Sequence, residues 1–403
     1  MRGTTMLDLG LRNELIVLDA IRHAPAGTSQ SEVVHRSGLS RQAVSLITRR
    51  LRAQGLIEAH GTLAGSRGKP RTILRLVPSS RLAVGVHLDP AGISLAVVDL
   101  LAAVIAQRTL APPTAVPASD VARIADALTS VQADLRAQGW TTPDGHDAAE
   151  AMLGIGVASP GAIDVARGRV VSPPWLPGWR DVPVVEQLGQ ATGLPVVLDK
   201  NTNAALTAET WSVAQPPGDT VLYLYVGAGV GSAVSTGGRV HHGAAAQAGE
   251  IGHLPTGLDG PLCGCGRRAC LSQFTDAASM LDAAERQGLL GTADGRSMTA
   301  RLGDLAAAAR GGEAGAVELL DGFGTALGEA LRTLIGVHDP HRVVIGGPSW
   351  PSLAPLALPL VEQRALRSSP HAVTIESSLI GDGVGALGAA ALFLQRELSP
   401  TGR

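Results

Sequence analysis

Apolar residues recur at helical spacing near the start of the chain. Leu11, Leu15, Leu18 and Ile21 share one face of a helix predicted over residues 11–23, which Pro25 and Gly27 end. A second helix is predicted over about 29–37. Gly38-Leu39-Ser40 then makes a tight turn, and Ser40 caps a third helix, RQAVSLITRRLRAQ. Val44, Ile47 and Leu51 form its inner stripe, while Arg41, Gln42, Ser45, Arg49 and Arg52 lie on the opposite face. Leu46 belongs to neither set. Two short strands follow, at about 56–60 and 72–77, joined by GTLAGSRGKPR.

Beyond residue 80 the pattern changes to longer apolar runs. Residues 82–107 read as a strand, a turn at Asp89-Pro90-Ala91-Gly92, a second strand and a third. Residues 220–243 repeat that plan, with a glycine turn at Gly227, Gly229 and Gly231 and a further turn at Gly237-Gly238. Helical stretches follow each unit, at 119–138 and 314–337. Two such units predict a duplicated α/β body with a ligand cleft between its lobes. The expected division is a headpiece over 1–80, a first lobe over 81–198 completed by a C-terminal helix over 385–403, and a second lobe over 199–384.

Composition narrows the function. With 403 residues, 45% hydrophobic and 17% charged, the chain can bury several cores and is not a disordered one. Aromatics at 2% argue against stacking platforms for single-stranded nucleic acid. No apolar run reaches spanning length, so no membrane partner is expected. Arg2, Asp8, Arg12 and Glu14 stand where a signal peptide would be apolar, so a cytoplasmic location is expected. The net charge of −2 hides an asymmetry: residues 1–80 carry 12 Arg and Lys against 5 Asp and Glu, the remainder 21 against 30. A basic headpiece on an acidic body points to a polyanion partner for the headpiece alone.

That headpiece, helix–helix–turn–helix followed by a basic-tipped hairpin, resembles a winged helix-turn-helix. The motif lays its last helix in the major groove of double-stranded DNA. Ser40, Arg41, Gln42, Ser45 and Arg49 are the candidate DNA contacts on the helix, and Arg67, Lys69 and Arg71 those on the wing. The plain alternative is a small helical module whose arginines are merely solvated.

All three cysteines fall within eight residues. His253, Cys263, Cys265 and Cys270 have the spacing His-x9-Cys-x-Cys-x4-Cys, with Gly264 and Gly266 permitting tight bends. Four soft or borderline ligands in one loop suit a closed tetrahedral zinc site, structural rather than catalytic because no position is left for water. The alternative is three ordinary thiols beside a surface histidine.

The segment AGEIGHLPTGLDGPLCGCGRRAC (248–270) resembles the signature of the repressor/ORF/kinase (ROK) family. LGIGVASPGAID (153–164), SPPWLPGW (172–179), YVGAGVGSAV (225–234), VVIGGP (343–348) and VGALGAA (384–390) match in the family's order. The resemblance implies an actin-like, two-lobed α/β body, zinc, a carbohydrate-like ligand and a homodimer or homotetramer. An N-terminal winged helix-turn-helix is the arrangement of the family's transcription factors, and its sugar kinases usually lack it. The resemblance also implies that His253 meets zinc with one ring nitrogen and a sugar hydroxyl with the other, and that Glu250 accepts a hydrogen bond from a sugar hydroxyl.

The kinase features are altered. The family's kinases carry Asp-x-Gly-Gly-Thr in the first hairpin; here the stretch is His87-Leu88-Asp89-Pro90-Ala91. The metal-associated aspartate becomes His87, proline removes a backbone N–H, and Asp89 would repel phosphate. The family's Asn-Asp-x-Asn reads Lys200-Asn201-Thr202-Asn203, which puts an amide at the position of the general base. Asp199 could substitute only through a two-residue register shift. A glutamate expected two positions after the last cysteine is Ser272. Effector contacts are therefore expected from Glu250, His253, Asn201, Lys200 and Ser272, without ATP. Lys200 either favours an anionic sugar or pairs with Glu250 or Asp199. The expected function is a DNA-binding transcriptional regulator, a repressor, responding to a sugar-like effector. The rivals are an ATP-dependent sugar kinase with an added DNA-binding module and a ligand-independent DNA-binding scaffold.

Overall fold

The computed structural model describes residues 6–63, 71–173, 175–211, 213, 215–216, 218–292, 295–367 and 372–401. Its headpiece comprises α1 (Met6–Arg22), β1 (Thr28–Ser29), α2 (Gln30–Ser37), α3 (Arg41–Ala53), β2 (Ile57–Leu63) and β3 (Arg71–Leu76). Val17, Leu18 and Ile21 of α1 pack on Val33 of α2 and on Val44, Ile47 and Leu51 of α3. The first helix starts five residues before the predicted position, and Leu11 is exposed rather than inward-facing. Leu9 and Leu11 are both exposed, so no inward apolar stripe extends to this end of the helix. Ser29 is a cap rather than a helical residue: its hydroxyl accepts from the Glu32 amide while the Glu32 carboxylate accepts from the Ser29 amide at 2.7 Å. Gly38, at φ +69°, closes α2 in the left-handed conformation. Strand β2 runs three residues past its predicted end through an irregularity between Ala59 and Thr62.

The body is a duplication. The first sheet holds β4 (Leu82–Asp89), β5 (Gly92–Asp99), β6 (Val104–Leu110), β7 (Met152–Ser159) and β10 (Val196–Lys200), with α4 (Pro117–Ala137), α5 (Ala148–Ala151) and α6 (Val184–Thr192) in the connections. A small hairpin, β8 (Ala162–Asp164) and β9 (Arg169–Ser172), hangs beside it. After α7 (Asn201–Trp211) the second sheet holds β11 (Thr220–Val226), β12 (Val230–Thr236), β13 (Arg239–Val240), β14 (Arg342–Gly346) and β15 (Thr374–Ser377). Its helices are α8 (Ser272–Thr275), α9 (Ala277–Arg286), α10 (Met298–Arg310), α11 (Ala314–His338) and α12 (Trp350–Ala365), and α13 (Val384–Leu398) ends the fold. The sheet orders, β10-β7-β4-β5-β6 and β15-β14-β11-β12-β13, correspond strand for strand. In each, one strand pairs antiparallel with its hairpin partner and parallel with the strand returning from a helix. Strand β10 runs through Lys200, two residues past the lobe boundary read from the sequence.

The last helix of each repeat crosses to the other. Helix α13 lies on β4 and β7 of the first sheet, α7 lies on β11 and β12 of the second, and the two helices pack against each other. Small residues permit the approach. A Cβ at Gly156 would collide with the Ala389 carbonyl, and one at Gly388 with the backbone of Ala204. The headpiece sits at the far end of this helix pair. Leu56, Leu76 and Leu398 pack into both the headpiece core and the α13 core. The Arg22 guanidinium lies 3.7 Å from the Trp211 ring centroid and donates to the Trp211 carbonyl and, at 2.5 Å, to Asp19. Among the described residues no helix is long and apolar enough to cross a membrane.

Candidate functional site

Helix α3 presents the candidate DNA face. Ser40 is its N-cap and accepts from the Ala43 amide at 3.2 Å. Val44, Ile47, Thr48 and Leu51 are buried, which turns Arg41, Gln42, Ser45, Leu46, Arg49 and Arg52 outward. Gln30 of α2 donates to the Thr48 hydroxyl at 3.0 Å and fixes the angle between the two helices. Arg50 points back and pairs with Glu14 of α1 at 2.8 Å, so it belongs to the headpiece's own packing. Arg71 begins β3 and is exposed; Arg67 and Lys69, the other two wing candidates, lie outside the described residues.

A pocket of about 290 Å³ opens between the lobes. It brings together all five sequence-predicted effector residues: Lys200 and Asn201 from the β10–α7 junction, Glu250 and His253 from the long loop after β13, and Ser272 from the start of α8. The Lys200 ammonium is buried and forms an ion pair with Glu250, so its charge is met within the protein. Asn201 starts α7, and its side-chain carbonyl accepts from the Thr202 amide at 2.9 Å. Trp175 and Tyr225, from the SPPWLPGW and YVGAGVGSAV segments, and Asp276 also line the pocket, although no sequence signal assigns the three a role there. Burial pushes the Asp276 carboxyl up to about 6. A Cβ at Gly231 would come within 2.8 Å of the Thr202 methyl, so this glycine serves close packing of β12 on α7.

The altered kinase positions have definite surroundings. His87 is buried against Gly385, with its Nε2 3.5 Å from the Tyr225 hydroxyl, and burial lowers its pKa, keeping the ring neutral. Asp89 lines the pocket but accepts from the Ala91 amide at 2.9 Å. Asp199 faces elsewhere. Successive residues of a strand point to opposite faces, so with Lys200 in the pocket Asp199 is turned away from it. One of its oxygens accepts from the Lys200 amide and the Asn203 side chain at 2.7 and 2.8 Å, and the other meets His242 Nε2 at 2.7 Å. It lines a second cleft of about 800 Å³ with Arg167, Arg239 and Arg396.

The Asp199 hydrogen bond raises the pKa of His242 above its ordinary 6.5. Stability from this pair is therefore complete below the unfolded value and is lost as pH rises through the raised folded value. His242→Gln should lower the thermal midpoint near about pH 6 and do so much less near about pH 9. Parallel melting curves that keep a constant gap across this range would remove the pair from the stability account.

The metal candidates converge. The ligand atoms of His253, Cys263, Cys265 and Cys270 all lie within 4.8 Å of one another. Cys263 Sγ is 3.5 Å from His253 Nδ1, and Cys265 Sγ is 3.5 Å from Cys270 Sγ. Tetrahedral zinc places sulfur and nitrogen ligands ~3.5–3.8 Å apart, so these four residues fit that ion. A knuckle builds the site: Cys263 donates its amide to the Arg267 carbonyl at 2.7 Å, and Gly266, at φ +87°, turns the chain between them. Burial and the neighbouring sulfurs push the Cys270 thiol up to about 11, and a bound dication would reverse that. His253 Nδ1 faces the sulfurs while the same ring lines the sugar-sized pocket, so the cluster and the pocket share one side chain.

Comparison with known proteins follows this division. The ROK family profile matches residues 142–396, and a MarR family profile matches residues 7–67. A protein of Caldicellulosiruptor sp., provisionally named a xylose repressor, is 25% identical over 96% of both chains. A glucokinase of Halalkalibacterium halodurans is 30% identical over 63% of this chain and 80% of its own. The crystal structure of a ROK family transcriptional regulator homologous to the Escherichia coli Mlc protein superposes with a TM-score of 0.76 over 98% of both chains, at 22% identity. With a duplicated two-lobed body, a loop of one histidine and three cysteines at the lip of its interlobe pocket and a MarR-type headpiece, the chain belongs to the ROK family.

Proposed function

We propose that this chain is a sugar-responsive DNA-binding repressor. The outward face of α3 enters the major groove of a pseudo-palindromic operator, and two headpieces of a homodimer or homotetramer read half-sites one or two DNA turns apart. A carbohydrate-like effector occupies the interlobe pocket against Glu250 and His253, beside Asn201, Lys200 and Ser272. Zinc held by His253, Cys263, Cys265 and Cys270 is structural: it fixes the imidazole tautomer and the loop that carries Glu250.

The observation that carries this reading is helix α7. Its first residues, Asn201 and Thr202, line the pocket, and its last, Trp211, is the shelf on which Arg22 of the headpiece stacks. The helix is buried along most of its length, so the pocket and the headpiece bear on the two ends of one rigid element. A sugar that favours one lobe arrangement would shift DNA affinity by the difference in its affinity for the two states.

Gel retardation with genomic duplexes, with and without a panel of hexoses and pentoses, tests the reading. Binding that sugars modulate is the expected result, and failure to retard any duplex at modest ionic strength would refute it. Arg49→Ala should weaken operator binding about 5- to 150-fold if its guanidinium meets a base edge. An unchanged isotherm at fixed salt would exclude it.

A second reading, an ATP-dependent sugar kinase with a DNA-binding module, is favoured by the likeness to glucokinase. Against it stand a neutral buried His87, an amide at Asn201 and an Asp199 turned out of the pocket. Loss of a general base alone costs about 10²–10⁴ in rate. Sugar-dependent ADP release by the unmodified protein above a metal-chelated blank would favour the kinase, with Asn201→Asp as the comparison.

A further inference from the structure

Leu46 is 48% exposed at the middle of α3, and neither the headpiece core nor the seat on the body uses it. The inner stripe of the helix is complete without it. Gln42, Leu46 and Arg49 stand at i, i+4 and i+7, a single outward row with Ser45 alongside. An apolar side chain thus sits between two hydrogen-bonding ones, on the face with which this fold reads base edges. The major groove offers arginine the O6 and N7 of guanine, and glutamine the N6 and N7 of adenine. The apolar group it offers is the C5-methyl of thymine.

We propose that Leu46 is a specificity-determining residue that packs on a thymine methyl group in each operator half-site. The proposal rests on the DNA-binding reading above. Side chains one helical turn apart are about 5–6 Å apart at Cβ, against about 3.4 Å per base step. The thymine therefore lies within one or two base pairs of the bases read by Gln42 and Arg49. A leucine in this row also penalises cytosine and guanine there, because their polar edges would be desolvated without a partner.

The test uses the full-length protein and a duplex selected by its own binding. Each thymine of one half-site is replaced in turn by deoxyuridine, which removes only the methyl group, and affinity is measured at fixed salt. One position is expected to lose about four-fold, the worth of one buried methyl-sized group. Leu46→Ala, at an exposed position that leaves the core intact, should bind thymine and deoxyuridine equally there while remaining sensitive to substitutions elsewhere. If no deoxyuridine changes affinity, or the variant keeps the wild-type preference for thymine, the assignment is wrong. If Leu46→Ala alters oligomeric state by sedimentation and leaves DNA affinity unchanged, the residue belongs to a protein contact and the proposal is overturned. A wild-type protein that retards no duplex would overturn this assignment together with the repressor reading, whereas the other failures leave that reading standing.

Discussion

Cys265→Ser is expected to empty the metal loop and to lower the thermal midpoint of the body by roughly 6–12 °C, corresponding to a loss of about 3 kcal/mol. Cys265 is the exposed cysteine of the three, so serine there removes a ligand without opening a cavity in the core. The stability change then reports the metal rather than packing. Structural zinc contributes about 10–16 kcal/mol of apparent binding free energy in isolated finger peptides, but here the proposed ion would order a single loop, and the rest of the body has its own core. The effect on sensing should exceed the effect on folding. Once the cluster opens, His253 is no longer held at Nδ1, its ring is free to turn, and the loop bearing Glu250 loosens at the pocket. Sugar affinity should fall by at least about ten-fold, as losses of ligands and their supporting partners do at other metal sites. Metal content by atomic absorption, melting and calorimetry with sugar check the three parts. A variant that retains one metal per chain and the wild-type midpoint would defeat the zinc assignment.

Trp211→Ala should uncouple the pocket from the headpiece. The indole is buried, donates to the Leu100 carbonyl at 3.1 Å and carries the Arg22 guanidinium on its face. Truncation should cost about 3–5 kcal/mol of stability, as for other buried tryptophans, and free the headpiece from its shelf. None of the candidate DNA contacts on α3 lines the cleft around Arg22 and Trp211, so operator binding should survive, while the sugar-dependent change in affinity collapses. Allosteric couplings are commonly about 5–150-fold; in the variant the ratio of affinities with and without sugar should approach unity. Trp211→Phe retains a ring for the cation and should restore part of the coupling, which a general loss of stability would not do. If the alanine variant responds to sugar like the wild type, the signal takes another route.

Much of this architecture was readable in the chain. Ser40 before an amphipathic stripe marked α3, and the repeated strand–hairpin–helix plan marked the two lobes, because periodicity and capping are local signals. The clustering of His253, Cys263, Cys265 and Cys270 was readable because the four lie close in sequence. Helix α12 was not, since Pro355 and Pro359 inside it signal a break; burial of Leu353, Ala357, Val361 and Ala365 at helical spacing holds it in place. The pairing of Lys200 with Glu250 rather than Asp199 was left open, because it depends on which face of β10 meets the loop fifty residues later. Asp276 carries no motif, and Trp175, although it stands in the SPPWLPGW segment, has no local signal that aims it at a pocket; both reach it through tertiary folding. Arg22 counts in the sequence only toward the charge of a basic headpiece, and its stacking on Trp211 is a contact across 189 residues that no local pattern signals.

The crossing of α7 has a mechanical consequence. Eleven residues make a rod about 16 Å long, buried along most of its length. If it moves as a unit, a tilt of about 5° at one end displaces the other by about 1.4 Å. In the homodimer proposed above, two such levers working in opposite senses would change the spacing of the paired headpieces by about twice that, before any amplification by the headpieces themselves. For a grip that must match the pitch of a groove on both sides at once, a gear ratio of this size would turn a subtle closure into release.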